Sequence, residues 1–200
     1  MTATNPDRTG RISRTTAETT INLALTLDAK GELRGFTGVG FFDHMLTLFA
    51  RHGRMDIELE CKGDLHVDAH HTVEDIGICL GDALSKALGE KRGISRYGFA
   101  YVPMDESLAR VVIDLSGRCH TVINAEVDTP RVGDFDTELA WEFFQAFARA
   151  GKMNLHIDLI RCGNAHHGIE ACFKAVARAL AQAVTRGTGR DDIPSTKGVL

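Results

Sequence analysis

Two short stretches hold most of the residues able to do chemistry. Residues 66–77 read HVDAHHTVEDIG, and residues 165–171 read AHHGIEA. Both contain His-His-x-x-Glu. Imidazole nitrogens and carboxylate oxygens bind first-row divalent metals, and the same groups move protons near neutral pH. On a helix, residues three or four apart share a face, while neighbours diverge by roughly 100°. His70 and His71 therefore point apart, and Glu74 lies about one turn on from both. A single copy cannot easily close both rings on one ion. It can offer ligands to two sites, so two copies related by a pseudo-twofold would serve two ions.

A further pair of candidates stands upstream. His44, in FFDHMLTLF, aligns with Glu142, in LAWEFFQAF. The candidate ligand sets are then His44, His70, His71 and Glu74 from one copy, and Glu142, His166, His167 and Glu170 from the other. Imidazole and carboxylate without thiolate suit manganese, iron or zinc, and six-coordination with oxygen ligands favours manganese. Asp68 and Asp75 are expected to orient the imidazoles as hydrogen-bond acceptors. His66 and His120 read as surface or strand residues. His156 alternates with apolar residues and reads as a partly buried, hydrogen-bonded ring.

These residues need elements to position them, and the chain writes those elements twice. Aligning His70–Leu88 with His166–Val184 keeps His70/His166, His71/His167, Glu74/Glu170, Ala83/Ala179, Leu84/Leu180 and Ala87/Ala183 identical. Apolar positions recur at i, i+3, i+4 and i+7, and neither segment contains proline, so each motif opens a long amphipathic helix. Upstream, FARHGRM (49–55) matches FARAGKM (147–153). Each block ends an apolar helical segment at a glycine, Gly53 or Gly151, the usual C-cap signal. The alternating runs MDIELEC and MNLHIDL follow as strands. TTINLALTLD and ARVVIDLSGR also read as strands, with weak matches of ISR at 12–14 to 94–96 and of LDAKG to IDLSG. The expected organisation is a polar tail (1–10), a first repeat half (11–92), a second half (93–187) and a C-terminal tail (188–200). The expected fold is α/β, each half a small sheet with two helices on one face. Halves of this size bury too little surface alone, so they should share one core.

Composition narrows the class. The chain has 200 residues, 44% hydrophobic and 25% charged, with a net charge of −4. That argues against a dedicated nucleic-acid binder. MTATNPDRTGR lacks the apolar run of a secretory leader, and no stretch approaches a membrane span. Five cysteines, never spaced C-x-x-C, argue against a disulfide framework or a thiolate zinc site. They read as buried small residues in a reducing cytoplasm.

Taken in order, RTTAETTI (14–21), FFDHML (41–46), GDLHVDAHHTVEDIGICLG (63–81), KRGISRYG (91–98), VPMDESL (102–108), DLSGR (114–118), VGDFDTEL (132–139), AHHGIEACFKAVARAL (165–180) and PSTKGVL (194–200) resemble the imidazoleglycerol-phosphate dehydratases of histidine biosynthesis. The resemblance spans nearly the whole chain. It implies two Mn2+ per active site, and trimers assembled into a 24-subunit shell with sites shared between subunits. It implies ligands at His44, His70, His71, Glu74, His166, His167 and Glu170. A further ligand position, commonly histidine, is occupied here by Glu142; either Glu142 ligates or a water does. It also implies substrate contacts from Glu18, His44, His52, Arg96, Arg118, Ser195 and Lys197. Guanidinium forks and a lysine suit a phosphate monoester. His52 has no histidine partner in the repeat, where Ala150 stands, and Ser195 and Lys197 would close over the phosphate.

The implied reaction dehydrates imidazole glycerol phosphate to imidazole acetol phosphate. The C–H next to the carbinol carbon is not activated by a carbonyl, so electrons must come from the ring. A metal-stabilised imidazolate would expel hydroxide, with Glu18 handling the proton. Two other classes have similar ligands: a dinuclear phosphoester hydrolase, and a non-catalytic metal-binding assembly protein.

Overall fold

The computed structural model describes residues 8–187 and 191–200. Most of the expected N-terminal tail (1–7) and the start of the expected C-terminal tail (188–190) lie outside the described residues. The first half runs β1 (Thr9–Thr15), β2 (Thr19–Thr26), β3 (Leu33–Arg34), α1 (Gly40–Gly53), β4 (Asp56–Gly63) and α2 (His70–Leu88). The second runs β5 (Tyr97–Met104), β6 (Ser107–Asp114), β7 (His120–Asn124), α3 (Leu139–Ala150), β10 (Asn154–Arg161) and α4 (Ala165–Val184). A two-strand insertion, β8 (Arg131–Val132) with β9 (Phe135–Asp136), precedes α3.

The sheets repeat the same topology. Their orders are β1-β2-β4-β3 and β5-β6-β10-β7. In each, the last listed strand runs parallel to its neighbour and the other pairings are antiparallel. This is the duplicated α/β architecture expected. The strand registers correct one detail of the alignment. Tyr97 pairs with Asp114 as Thr9 pairs with Thr26, which makes Arg8 the counterpart of Arg96 and displaces the ISR match. The same register makes Glu106 the counterpart of Glu18.

Strand alternation sends Ile21, Leu23, Leu25, Ile57, Val111, Ile113, Leu155 and Ile157 inward. Helices then fill the space between the sheets, and they do so by exchange. α2 lies on β1 and β2 of its own sheet but packs most extensively on α3; α4 lies on β5 and β6 but packs on α1. The helix α1 thus belongs to one half in sequence and to the other in contacts. One buried cluster contains residues of both halves, as their small size requires. Phe143 sits at its centre, against Phe42, Phe49, Phe144, Phe147 and Phe173.

The expected glycine C-caps are replaced by a different arrangement. The left-handed residues are Arg54 (φ 53°) and Lys152 (φ 50°), one position after each glycine. Gly151 itself has φ −73°. The glycines are needed for space: a Cβ at Gly53 would strike the Met55 side chain, and one at Gly151 would meet Met153 at 2.5 Å. Gly77 and Gly81 do the same between helices. A Cβ there would meet the Phe143 carbonyl at 2.8 Å and the Phe147 carbonyl at 2.5 Å. Small residues at i and i+4 let α2 and α3 cross at close range.

Gly81→Val should therefore force α2 from α3 and cost about 2–3 kcal/mol, as overpacking typically does. The check is the urea midpoint of intact protein. A midpoint equal to wild type would mean that the crossing tolerates separation.

Candidate metal centre and substrate site

The helix exchange brings His44 of α1 to His166 and Glu170 of α4. His44 Nε2 lies 3.3 Å and His166 Nε2 lies 3.2 Å from Glu170 Oε2. The other carboxylate oxygen, Oε1, takes the Lys174 ammonium at 2.5 Å, one turn along α4. Burial would raise the Glu170 pKa, but Lys174 outweighs it, with help from His44 and His166, and holds the carboxyl below its ordinary range. Side-chain exposure is 7% for Glu170 but 46% for His44, so the anchor is buried and the rings reach solvent.

These three donors fit a divalent ion. Their ligating atoms lie within 4.8 Å of one another. Ligands on one ion, each at roughly 2.0–2.3 Å, are at most about 4.6 Å apart, so only small adjustments are needed. Asn164 fixes the start of α4 by accepting the His166 and His167 backbone N–H groups.

The repeat-equivalent set is His70 and Glu74 on α2 with Glu142 on α3. Glu74 and Glu142 line one cavity of about 160 Å³, joined by Arg149 and Cys119. Arg149 Nη2 donates to Glu74 Oε1 at 3.1 Å. No ion pair joins His70 to Glu74 among the described residues.

The second histidine of each motif points elsewhere, as helical geometry demands. His71 Nδ1 lies 3.0 Å from Asp64 Oδ2, and its Nε2 lies 3.6 Å from Glu18 Oε1. Asp64 pushes the His71 pKa up, with Glu18 adding to the effect. His167 Nδ1 meets Glu106 Oε2 at 3.1 Å. Glu106 is held below the usual carboxylate range by its own backbone N–H and then by His167.

The expected orienters have other duties. Asp68 accepts the His70 backbone N–H at 2.8 Å and caps α2 instead of touching a ring. Asp75 is buried beneath β1 and β2, where Thr19 and Arg14 donate to it. Asp64 and Glu106 serve the rings instead. Glu106 was legible as the counterpart of Glu18, since AET and DES occupy matching strand turns. Asp64 and Lys174 had no repeat signal, because Cys162 and Ile78 stand at their counterparts. His66 is exposed. His156 is not partly buried: it faces outward beside His120, with ring centroids 6.3 Å apart. Among the cysteines, Cys79 and Cys172 are buried as expected, while Cys119 is exposed. Burial pushes the Cys79 thiol up to about 12.

His52 lies two turns along α1 from His44, over a cavity that Arg54 and Arg178 also line. Burial lowers its pKa, as do Lys174 and Arg178. The remaining expected substrate residues gather at the far end of α4. Arg96 forks onto Asp114 (2.7 and 3.1 Å) and donates to the Pro194 carbonyl at 2.8 Å, which ties the C-terminal segment to β5. Leu200 packs against Gly117, beside exposed Arg118. Ser195 Oγ accepts the Lys197 backbone N–H. Arg96 also donates its own backbone N–H to Ala183. From there to His166 is 17 residues of α4, about 25 Å at roughly 1.5 Å per residue.

The fold and site define a duplicated α/β enzyme scaffold whose exchanged helices bring together histidine and glutamate side chains that could hold a metal ion. Residues 37–180 match the profile of the imidazoleglycerol-phosphate dehydratase family. The chain is 57% identical to the imidazoleglycerol-phosphate dehydratase of Heliobacterium modesticaldum, covering 94% of this chain and 96% of that one. It is 55% identical to that of Streptococcus mutans, covering 96% and 100%. The crystal structure of the Staphylococcus aureus enzyme superposes with a TM-score of 0.82 at 45% identity, covering 90% and 99%. That of the Pyrococcus furiosus enzyme gives 0.81 at 35%, covering 94% and 100%. The chain belongs to the imidazoleglycerol-phosphate dehydratase family, hydro-lyases of histidine biosynthesis.

Asp64 favours the charged His71 ring. Any folding stability from that contact is complete below the ordinary histidine pKa and is lost as pH rises through the raised one. Asp64→Asn should lower the His71 pKa. Ring C2 hydrogen–deuterium exchange against pH, read by mass spectrometry, measures it. An unmoved titration would remove Asp64 as the cause.

Proposed function

We propose that this chain dehydrates imidazole glycerol phosphate to imidazole acetol phosphate, using two Mn2+ per active site. The observation that carries the reading is the convergence of His44, His166 and Glu170 from opposite halves. His70, Glu74 and Glu142 form the second set, with Glu142 as ligand in place of histidine. Among the described residues, neither set shows a fourth protein donor. His71 and His167 point away from their own sets, so a neighbouring chain's His71 and His167 complete them. The same conclusion follows from length. A three-carbon phosphate ester cannot span the 25 Å or so between His166 and the Arg96 cluster of one chain. Sites shared between subunits, in trimers built into a 24-subunit shell, satisfy both demands. The cytoplasm is the compartment this chemistry and the free cysteines suit.

When bound, the metal pair supplies Lewis acidity to the ring nitrogens and so makes the ring the electron source for loss of the hydroxyl. The chain's residues do the rest. Glu18, exposed in the β1–β2 turn and 3.6 Å from His71, moves the proton at the carbon next to the leaving hydroxyl. Arg118, Ser195 and Lys197 hold the phosphate, and Arg96 both contacts it and fixes the closing segment through Pro194. His44 and His52 border the substrate along α1.

Glu18→Gln should cut kcat at least about a hundredfold, the usual scale for losing a general acid–base group. Metal content should stay near two ions per chain; loss of metal would place Glu18 among the ligands. The product must be a ketone with phosphate retained. Release of inorganic phosphate would instead indicate a phosphoester hydrolase, and metal binding with no turnover an assembly protein. For site sharing, His166→Ala and Arg118→Ala chains, each inactive alone, should recover part of the activity when co-assembled. No recovery would mean that each site belongs to one chain.

A further inference from the structure

The repeat makes the two metal sets look interchangeable, yet their surroundings differ. Glu170 reaches both His44 and His166 through one oxygen, and Lys174 on the same helix holds the other. In α2 the counterpart of Lys174 is Ile78, so Glu74 has no cation of its own helix to steady it. Arg149, from α3, takes that place. Its guanidinium holds Glu74 toward α3, and Glu74 makes no ion pair with His70 among the described residues. The pair is also more open, with side chains 64% and 35% exposed against 16% and 7% for Lys174 and Glu170. Arg51, the counterpart of Arg149 in α1, points away and donates to the Lys30 carbonyl. Among the described residues, the Arg149–Glu74 contact therefore has no equivalent in the other set.

We propose that the two metal positions are inequivalent and fill in order. The His44–His166–Glu170 set is preassembled and takes the first ion. The His70–Glu74–Glu142 set takes the second more weakly, because Arg149 holds Glu74 out of it and repels the incoming dication. The inference rests on the reading that both sets bind metal. Arg149 is then a positioning residue that sets the loading order. An exposed ion pair is a modest restraint, and a nearby unit charge adds a screened repulsion. Together they correspond to roughly three- to tenfold in the second ion's Kd.

The test is a Mn2+ titration of the chelator-stripped full chain, with free aqua Mn2+ read by its electron paramagnetic resonance signal. Wild type should show a tight and a weaker class, one ion per chain each. Glu170→Gln should remove the tight class and keep the weaker one. Arg149→Gln should tighten the weaker class three- to tenfold, and Arg149→Lys, which keeps the charge, should stay near wild type. A single class of two equal ions in wild type overturns the inference while leaving the two-metal reading standing. So does a weaker class that Arg149→Gln leaves unchanged or weakens further. Absence of stoichiometric Mn2+ binding would defeat both.

Discussion

The structure depends on the exchange of helices between its halves. Each half has a sheet covered by one long helix, α2 or α4, whose outward face is still apolar. That face cannot stay wet, and the short helix of the other half covers it. The crossings are close because glycine and alanine stand where the helices touch, Gly77 and Gly81 against α3 and Ala177 near Gly53 of α1. The packing that creates the core also creates the site. His44 meets Glu170 only because α1 lies on α4, and Glu142 shares a cavity with Glu74 only because α3 lies on α2.

Electrostatics then separates the copies. A buried carboxylate beside two imidazoles is costly unless a cation steadies it, and Lys174 does so from within the shielded groove. The other copy exchanges this for an exposed guanidinium on a neighbouring helix. Duplication supplied two similar frames, and individual substitutions such as Lys174 for Ile78 gave them different chemistry. The outer faces diverge as well. β2 and β4 present Asn22, Glu58 and Glu60 outward, whereas β5 presents Tyr97, Phe99 and Tyr101, each more than half exposed.

The histidine motifs are held at the openings of α2 and α4 by side-chain capping. Asp68 and Asn164 accept backbone N–H groups at the two helix starts, where orphan donors need partners. This fixes the first turn, and the first turn fixes the ring directions. The side chains that then hold the diverging rings, Asp64 and Glu106, come from a loop after β4 and a turn before β6. Strand ends and helix starts meet at one edge of each half, so the groups most useful for proton and metal chemistry collect there.

Sequence alone determined the four helices, four of the longer strands and the residue types. Helical spacing at 3.6 residues per turn made His70 and His71 diverge, strand alternation marked β2, β4, β6 and β10, and the repeat named both candidate ligand sets. Those are local properties, set within a few residues of chain. The exchange of α1 and α3 between halves was not legible, because an apolar stripe states that a helix must be covered without stating by what. Nor were the partners of Glu74 and Glu170. Arg149 lies far from Glu74 along the chain, and Lys174 reads locally as an ordinary surface residue on α4. The same limit sent Asp75 inward to Thr19 and Arg14, when its position in the motif suggested a ring contact. Only tertiary packing could decide these, since which charges meet depends on which helix faces close, and that is settled by the whole core at once.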